Sequence, residues 1–244
     1  MEAPPMPAKV IIFGATGKVG YCLVSEGLSA GLDLSVFIRE PRKLELQHSP
    51  QALSRLKVYV GDIHDTDAVS RAISGHNTVV DAAGSHVPEE YISIRRGIVS
   101  AARQTLQPPR RIWVFGGLPG LLVPHTDTPG TDLPGMPALF RAHRPNYETV
   151  RDSGMDWTFI CPGPMYLAGR RGIPGRLDVT FDVMPYRVGE WTKRLPSIAH
   201  PFIMYLHLGK LATSYEDVAC LVMNNLAPNG PYSRRRIGVV DPQA

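Results

Sequence analysis

The chain has 244 residues, 43% of them hydrophobic and 20% charged, with a formal net charge of +4. That composition excludes an intrinsically disordered chain, and the length suffices for one sizeable core. No apolar run approaches the ~20 residues of a membrane span, and the basic clusters are short and lack interleaved aromatics, so neither a membrane nor a nucleic acid is expected as partner.

In chain order, residues 1–7 carry three prolines and read as a disordered lead-in, without the basic-then-apolar pattern of a secretory signal. Val10–Phe13 is a continuous apolar run and predicts a buried strand. Lys18–Ala30 predicts a helix that stops at Gly31. Leu34–Ile38 and Lys57–Val60 predict two more strands. Asp65–Ser74 opens on Asp-Thr-Asp and ends at Gly75, a helix pattern. Thr78–Ala82 predicts a fourth strand, Glu89–Thr105 a longer helix and Arg111–Phe115 a fifth strand.

After Phe115 the periodicity lapses, and residues 116–130 hold four glycines and three prolines. A long irregular loop in a compact fold is usually functional or disordered. A helix at Ala138–Ser153 and a strand at Asp156–Ile160 follow. Cys161–Gly175 is again rich in Gly and Pro, and Pro185–Gly209 is aromatic and proline-broken. Ser214–Leu226 predicts the last helix and Arg236–Val240 a final strand.

Apolar strands alternating with helices imply a parallel sheet covered on both faces. The expected fold is α/β: a single-domain Rossmann-type doubly wound parallel sheet over residues 8–244. A short C-terminal substrate-side extension goes with it, and segments 116–137 and 161–209 are placed on the substrate side. Cys22, Cys161 and Cys220 are odd in number, far apart and without metal-ligand spacing. They read as buried thiols in a cytoplasmic protein with no metal site.

The stretch from Lys9 to Gly20 puts glycines at 14, 17 and 20 between a strand and a helix. Such a turn lets backbone approach a pyrophosphate, which the helix N-terminus then faces with free N–H groups. The candidate cofactor contacts here are Gly14, Thr16, Gly17, Lys18, Val19 and Gly20. At the end of the second strand an NAD site carries an acid and an NADP site an arginine. Arg39 stands there, with Arg42 and Lys43 close behind, so NADP(H) is expected, although Glu40 offers a carboxylate to the ribose. Asp62 and Ile63 follow the third strand and suit the adenine; helix capping by Asp62 is the alternative. Ala83 and Gly84 are small enough for a cofactor to pass over.

Together, G-A-T-G-K-V-G (Gly14–Gly20), V-G-D-I (Val60–Ile63), S-G-M-D-W-T-F-I-C-P-G-P (Ser153–Pro164) and S-Y-E-D-V-A (Ser214–Ala219) resemble the extended, or atypical, short-chain dehydrogenase/reductase superfamily. The nearest resemblance is to its NAD(P)H-binding, NmrA-like group, with flavin reductase/biliverdin reductase B-like and bacterial NADH-flavin reductase-like proteins. V-F-G-G-L-P-G-L-L (Val114–Leu122) and D-T-P (Asp127–Pro129) extend the match. The resemblance implies a Rossmann-type domain, bound NADP(H) and hydride transfer to a flat conjugated acceptor such as a flavin or quinone.

The superfamily's Tyr-x-x-x-Lys pair departs here to Phe140-Arg-Ala-His-Arg144, and its strand-end Ser falls on Gly116 or Gly117. Phenylalanine donates no proton; Arg144 is left to hold the ribose, and Gly116, Gly117 and Pro162 are further candidate cofactor contacts. The candidate acids are Tyr147, expected on the helix facing the site, then Tyr166 after the Pro162-Gly163-Pro164 turn, then His86 beside Ser85. His125 and His143 are expected to be solvated. The aromatic stretch 185–209 suggests a lid or flat pocket, with a homodimer surface or core filling as the alternatives. Two other functions stay open: a non-catalytic NADP-sensing regulator, and an isomerase or cyclase on a repurposed fold.

Overall fold

The computed structural model describes residues 8–242, so the expected lead-in lies outside the described residues. Its strands are β1 (Lys9–Phe13), β2 (Asp33–Ile38), β3 (Leu56–Val60), β4 (Thr78–Asp81), β5 (Arg111–Phe115), β6 (Asp156–Pro162), β7 (Met165–Tyr166), β8 (Asp178–Phe181), β9 (Thr213–Ser214) and β10 (Arg235–Val240). The helices are α1 (Lys18–Ser29), α2 (Pro41–Gln47), α3 (Pro50–Leu53), α4 (Thr66–Ile73), α5 (Pro88–Thr105), α6 (Ala138–Arg141), α7 (His143–Arg151), α8 (His200–His207) and α9 (Tyr215–Met223).

Among the described residues the main sheet runs β3-β2-β1-β4-β5-β6-β10-β8, and β7 pairs with β9 in a small second sheet. All pairings in the main sheet are parallel except the edge pair β10–β8. This is the Rossmann-type α/β architecture. The strand order reverses between β1 and β4, the place where such sheets open a crevice at their carboxyl ends.

Side chains alternate across each strand, and the core divides accordingly. Ile11 and Phe13 face the layer that holds Val69, Ile73, Ile94, Ile98 and Val150, contributed by α4, α5 and α7. Val10 and Ile12 face the opposite layer, where Leu23, Val24 and Leu28 of α1 meet Val218 and Val222 of α9. Each such side chain, fully buried, stabilises the fold by roughly 1.5–3 kcal/mol. That layering explains why the strands read as uninterrupted apolar runs.

Two expectations are corrected. The helix expected over 138–153 is two helices, parted at Ala142. Pro145 lacks the N–H that would bond to the Arg141 carbonyl, and its ring crowds that carbonyl. The segment 161–209, expected as irregular extension, contributes β8 to the main sheet and forms α8. Its middle is clamped by the first turn of α9. Glu216 accepts from Ala168 N and Gly169 N at 2.9–3.1 Å, and Asp217 accepts from Ile173 N (2.8 Å) and Arg170. Cys22, Cys161 and Cys220 are free and buried. No helix of the described residues is long and apolar enough to cross a membrane.

Candidate functional site

The turn after β1 is built so that only glycine fits at two of its three glycine positions. Gly14 has φ +76°, and a Cβ there would lie 2.6 Å from the carbonyl group of Ala82, at the end of β4. A Cβ on Gly20 would lie 2.1 Å from the Gly14 oxygen, so α1 packs directly on the turn. Gly17 caps α1 without a side-chain bond, and the helix's first turn has no acid. Its first N–H groups therefore face the crevice uncompensated, an anion-binding arrangement. Gln47 of α2 steadies the turn by donating to the Thr16 carbonyl at 2.9 Å.

From there a cleft runs past Val19, Ala82, Ala83, Gly84, Ser85 and His86 to Phe115, Gly116, Phe140 and His143. It adjoins a cavity of about 530 Å³ whose walls come from the loop after β5, from α6, from the Pro162–Met165 turn and from α8. Gly116, Phe140, His143 and Met165 line both. The two spaces thus present a dinucleotide path and a pocket of ligand size meeting at His143.

The floor of the cleft is held by a buried ion pair that sequence reading did not find. Arg95 of α5 and Asp81 at the end of β4 pair with both side chains fully buried. Arg95 also donates to the Phe115 carbonyl (2.9 Å), which accepts a second bond from the Tyr91 hydroxyl (3.1 Å). Asp81 accepts from Ala83 N at 3.0 Å. One side chain therefore ties together the carboxyl ends of β4 and β5.

His143 was expected in solvent and is buried instead. Its Nδ1 lies 3.5 Å from the Tyr91 hydroxyl and its ring fits against Gly117, where a Cβ would come within 2.6 Å of Nε2. Burial, helped by the Arg95 charge, lowers its pKa to about 4, so the imidazole is neutral at neutral pH. The unfolded chain, with a histidine near its ordinary value, binds more protons between these two values. The stability conferred is complete above about pH 6.5 and declines as pH falls towards about 4. Urea unfolding at about pH 7 and about pH 4 is expected to show some 3 kcal/mol of this slope missing in His143→Gln.

The other candidates separate. Gly116, Gly117 and Pro162 line the cavity, while Ala83, Gly84 and His86 line the cleft. Arg39 is exposed at the end of β2, and Arg42 is exposed on α2. Lys43 pairs with Glu40 at 2.9 Å, which engages both the third cation and the rival carboxylate. Asp62 accepts from His64 N, and capping of α4 falls to Asp65.

Three assignments are corrected. Arg144 turns outward to Asp132 (2.5 Å) and Glu148 (3.3 Å), away from the cleft. Tyr147 packs on Trp157 and Phe159 beneath Arg236, in a separate groove with Arg144 and Arg151. Tyr166 is exposed and donates to Asp241 at 2.6 Å; its neighbour Met165 takes the cavity position. The inward face of α7 is His143, Asn146 and Val150, which leaves Arg144 and Tyr147 to its sides.

A family model described as NAD(P)H-binding matches residues 14–175, more than half of the chain. The chain belongs to this NAD(P)H-binding family. The glycine cradle, the uncapped α1 N-terminus and the small residues after β4 fit the dinucleotide that the family holds. Solved structures share the fold over nearly the whole chain. A candidate NADH-flavin reductase from Streptococcus pneumoniae is 19% identical with a TM-score of 0.69, covering 96% of this chain and 100% of that one. A wide-type short-chain dehydrogenase/reductase from Veillonella parvula, solved with NADP, is 18% identical with a TM-score of 0.64, covering 97% and 96%. The nitrogen metabolite regulation-like protein bik4 of Gibberella fujikuroi is 31% identical over 101 residues, 41% of this chain and 30% of its own length. The chain spans about a third of the length of the curated relatives it matches.

Proposed function

We propose that this NAD(P)H-binding protein is an NADPH-dependent reductase of a flat conjugated small molecule. The observation that carries the reading is the apolar cavity opening onto the dinucleotide cleft at Gly116, Phe140, His143 and Met165. Bound there, the nucleotide supplies a hydride donor, and the protein supplies position and a dry wall. Gly14, Gly17 and Gly20 would seat the pyrophosphate, and Ala83 and Gly84 would let the cofactor pass towards the cavity.

The lining also supports the acceptor class. Among the described residues neutral His143 is the one titratable side chain lining the cavity, and the Tyr91 phenol behind it is driven well above its usual range by burial. Neither is a ready proton source near neutral pH. Acceptors whose reduced form takes its proton from water, such as quinones and isoalloxazines, suit this site better than simple ketones. The lack of an acid on the described cavity wall also suits a protein that binds the nucleotide without redox chemistry, as a sensor or cyclase. NADPH oxidation with an acceptor panel, run beside a calorimetric NADPH titration, separates the two: turnover supports the reductase, and tight binding with no turnover rejects it.

The choice of NADPH rests on Arg39 and Arg42 at the end of β2 and the start of α2. A charge-assisted bond to a 2′-phosphate contributes roughly 1.5–3 kcal/mol. Arg39→Ala with Arg42→Ala is expected to weaken NADPH binding about 10- to 100-fold and to leave NADH within about twofold. Equal affinity of the unmodified protein for both nucleotides would sink this preference.

A further inference from the structure

The cavity beside the cleft is unusual in what it withholds. Among the described residues its lining contains no Asp, Glu, Lys or Arg. Six of its residues are prolines (119, 134, 137, 162, 164 and 201), which have no backbone N–H to offer. Among the glycines, Gly116 already donates its N–H to the Ile160 carbonyl at 2.8 Å. Met136, Met165 and Met204 add soft, polarizable side chains to the wall. His143, the one ionisable group among the described lining residues, is neutral and already faces Tyr91.

An anion placed against this partly open wall would give up part of its hydration and meet no cation among the described lining residues. Such burial is strongly unfavourable unless the charge is paired and hydrogen-bonded. A neutral planar ring meets the opposite situation: proline and methionine walls to stack on, and one imidazole at the edge. The volume, about 530 Å³, accommodates a ligand of two or three fused rings.

We infer that the acceptor entering this cavity is uncharged, a neutral quinone-like compound, and that the site rejects acceptors with a sulfonate, carboxylate or phosphate on or near the ring. This rests on the reductase reading above and narrows it. The step balances without another reactant: the quinone takes a hydride from the reduced nucleotide and a proton from water, yielding the hydroquinone and the oxidised nucleotide.

The test uses two matched pairs. Binding is measured by calorimetry on the full chain with NADP⁺ in excess, using hydroxymethyl-anthraquinone and anthraquinone sulfonate, which share a ring system and differ in charge. The neutral member is expected to bind about 100-fold more tightly. Turnover is measured as NADPH oxidation with riboflavin and with riboflavin phosphate, whose charge sits on a tail, so a smaller preference of about tenfold for riboflavin is expected. Met204→Lys puts a cation on the wall and is expected to bring the anthraquinone ratio below about tenfold by improving the sulfonate.

Equal binding of the two anthraquinones, tighter binding of the sulfonate, or binding of neither overturns the inference, whatever the turnover. A clear preference for the neutral ring with no oxidation of NADPH by any acceptor keeps the charge rule and removes the reductase reading. The two can therefore fail separately.

Discussion

Replacing Gly20 with alanine is expected to reduce NADP(H) affinity about 100-fold while the chain still unfolds cooperatively. The added Cβ would stand 2.1 Å from the Gly14 oxygen and 2.6 Å from the Ala15 Cα. Both are backbone atoms of the turn, so no side-chain rotation relieves the clash. The start of α1 must tilt away, and its N–H groups move off the place where a pyrophosphate sits. Overpacking of this kind costs about 1–3 kcal/mol in stability, which leaves a folded protein.

Gly31→Ala is the matched control. Gly31 has φ +73° but open space around its Cβ position. It is expected to lose about 1 kcal/mol of stability and no affinity. Calorimetric titration with NADPH and urea unfolding of both variants make the comparison. Unchanged affinity in Gly20→Ala would mean that the glycine turn does not seat the nucleotide.

Arg95→Met is expected to destabilise the protein by about 3–5 kcal/mol, the largest effect of any single change considered. Asp81 would keep its charge in a fully buried position with no counter-ion, and the Phe115 carbonyl would keep one donor out of two. The loss belongs to the abandoned carboxylate more than to the pair itself. Adding Asp81→Asn should therefore recover more than half of it, because the neutral amide still accepts from Ala83 N. Urea unfolding of the wild type, the two single variants and the double variant measures this coupling. An additive result, with no recovery, would show that the pair is not the unit that holds β4 and β5. The surface pair between Arg151 and Asp152 offers a contrast, since water screens an exposed pair and its loss is expected to change stability little.

The glycine turn and the cationic end of β2 were legible because their signals are local. Gly14 and Gly20 exclude a side chain through atoms a few residues away or on the adjoining strand. Arg39 ends a strand that its own apolar run announces. The substrate half was legible only as a change of composition. Residues 116–137 and 161–209 lack periodicity, so the walls they build, and strand β8 within them, follow from long-range pairing. The stretch 185–209 does supply cavity wall, but through Pro201, Met204 and Leu208. Its Phe202 and Tyr205 face solvent, and Tyr186 is buried against His207.

The catalytic candidates show most clearly where sequence stops. Tyr147 stands on the expected helix, Tyr166 after the Pro162-Gly163-Pro164 turn and Arg144 at the Lys position of the Tyr-x-x-x-Lys pair, and the fold turns each to another partner: Arg236, Asp241 and Asp132. His143 takes the inward position with Asn146 and Val150 on the helix that follows Ala142, where Pro145 interrupts the hydrogen-bond ladder. A proline in a predicted helix was the available signal, but it marks a break without saying which face turns inward. Arg95 carried no signal at all, since an arginine on an amphipathic helix reads as exposed until its partner, 14 residues earlier, arrives at the same strand end.

By itself, then, the sequence determined the alternation of strand and helix, the glycine cradle and the cationic end of β2, because apolar periodicity and backbone sterics act over short distances. Only the tertiary structure decided which side chains meet at the cleft, that Arg95 is buried on Asp81, and that the cavity is neutral. Those depend on helix phase and strand order, which are set by packing between segments far apart in the chain.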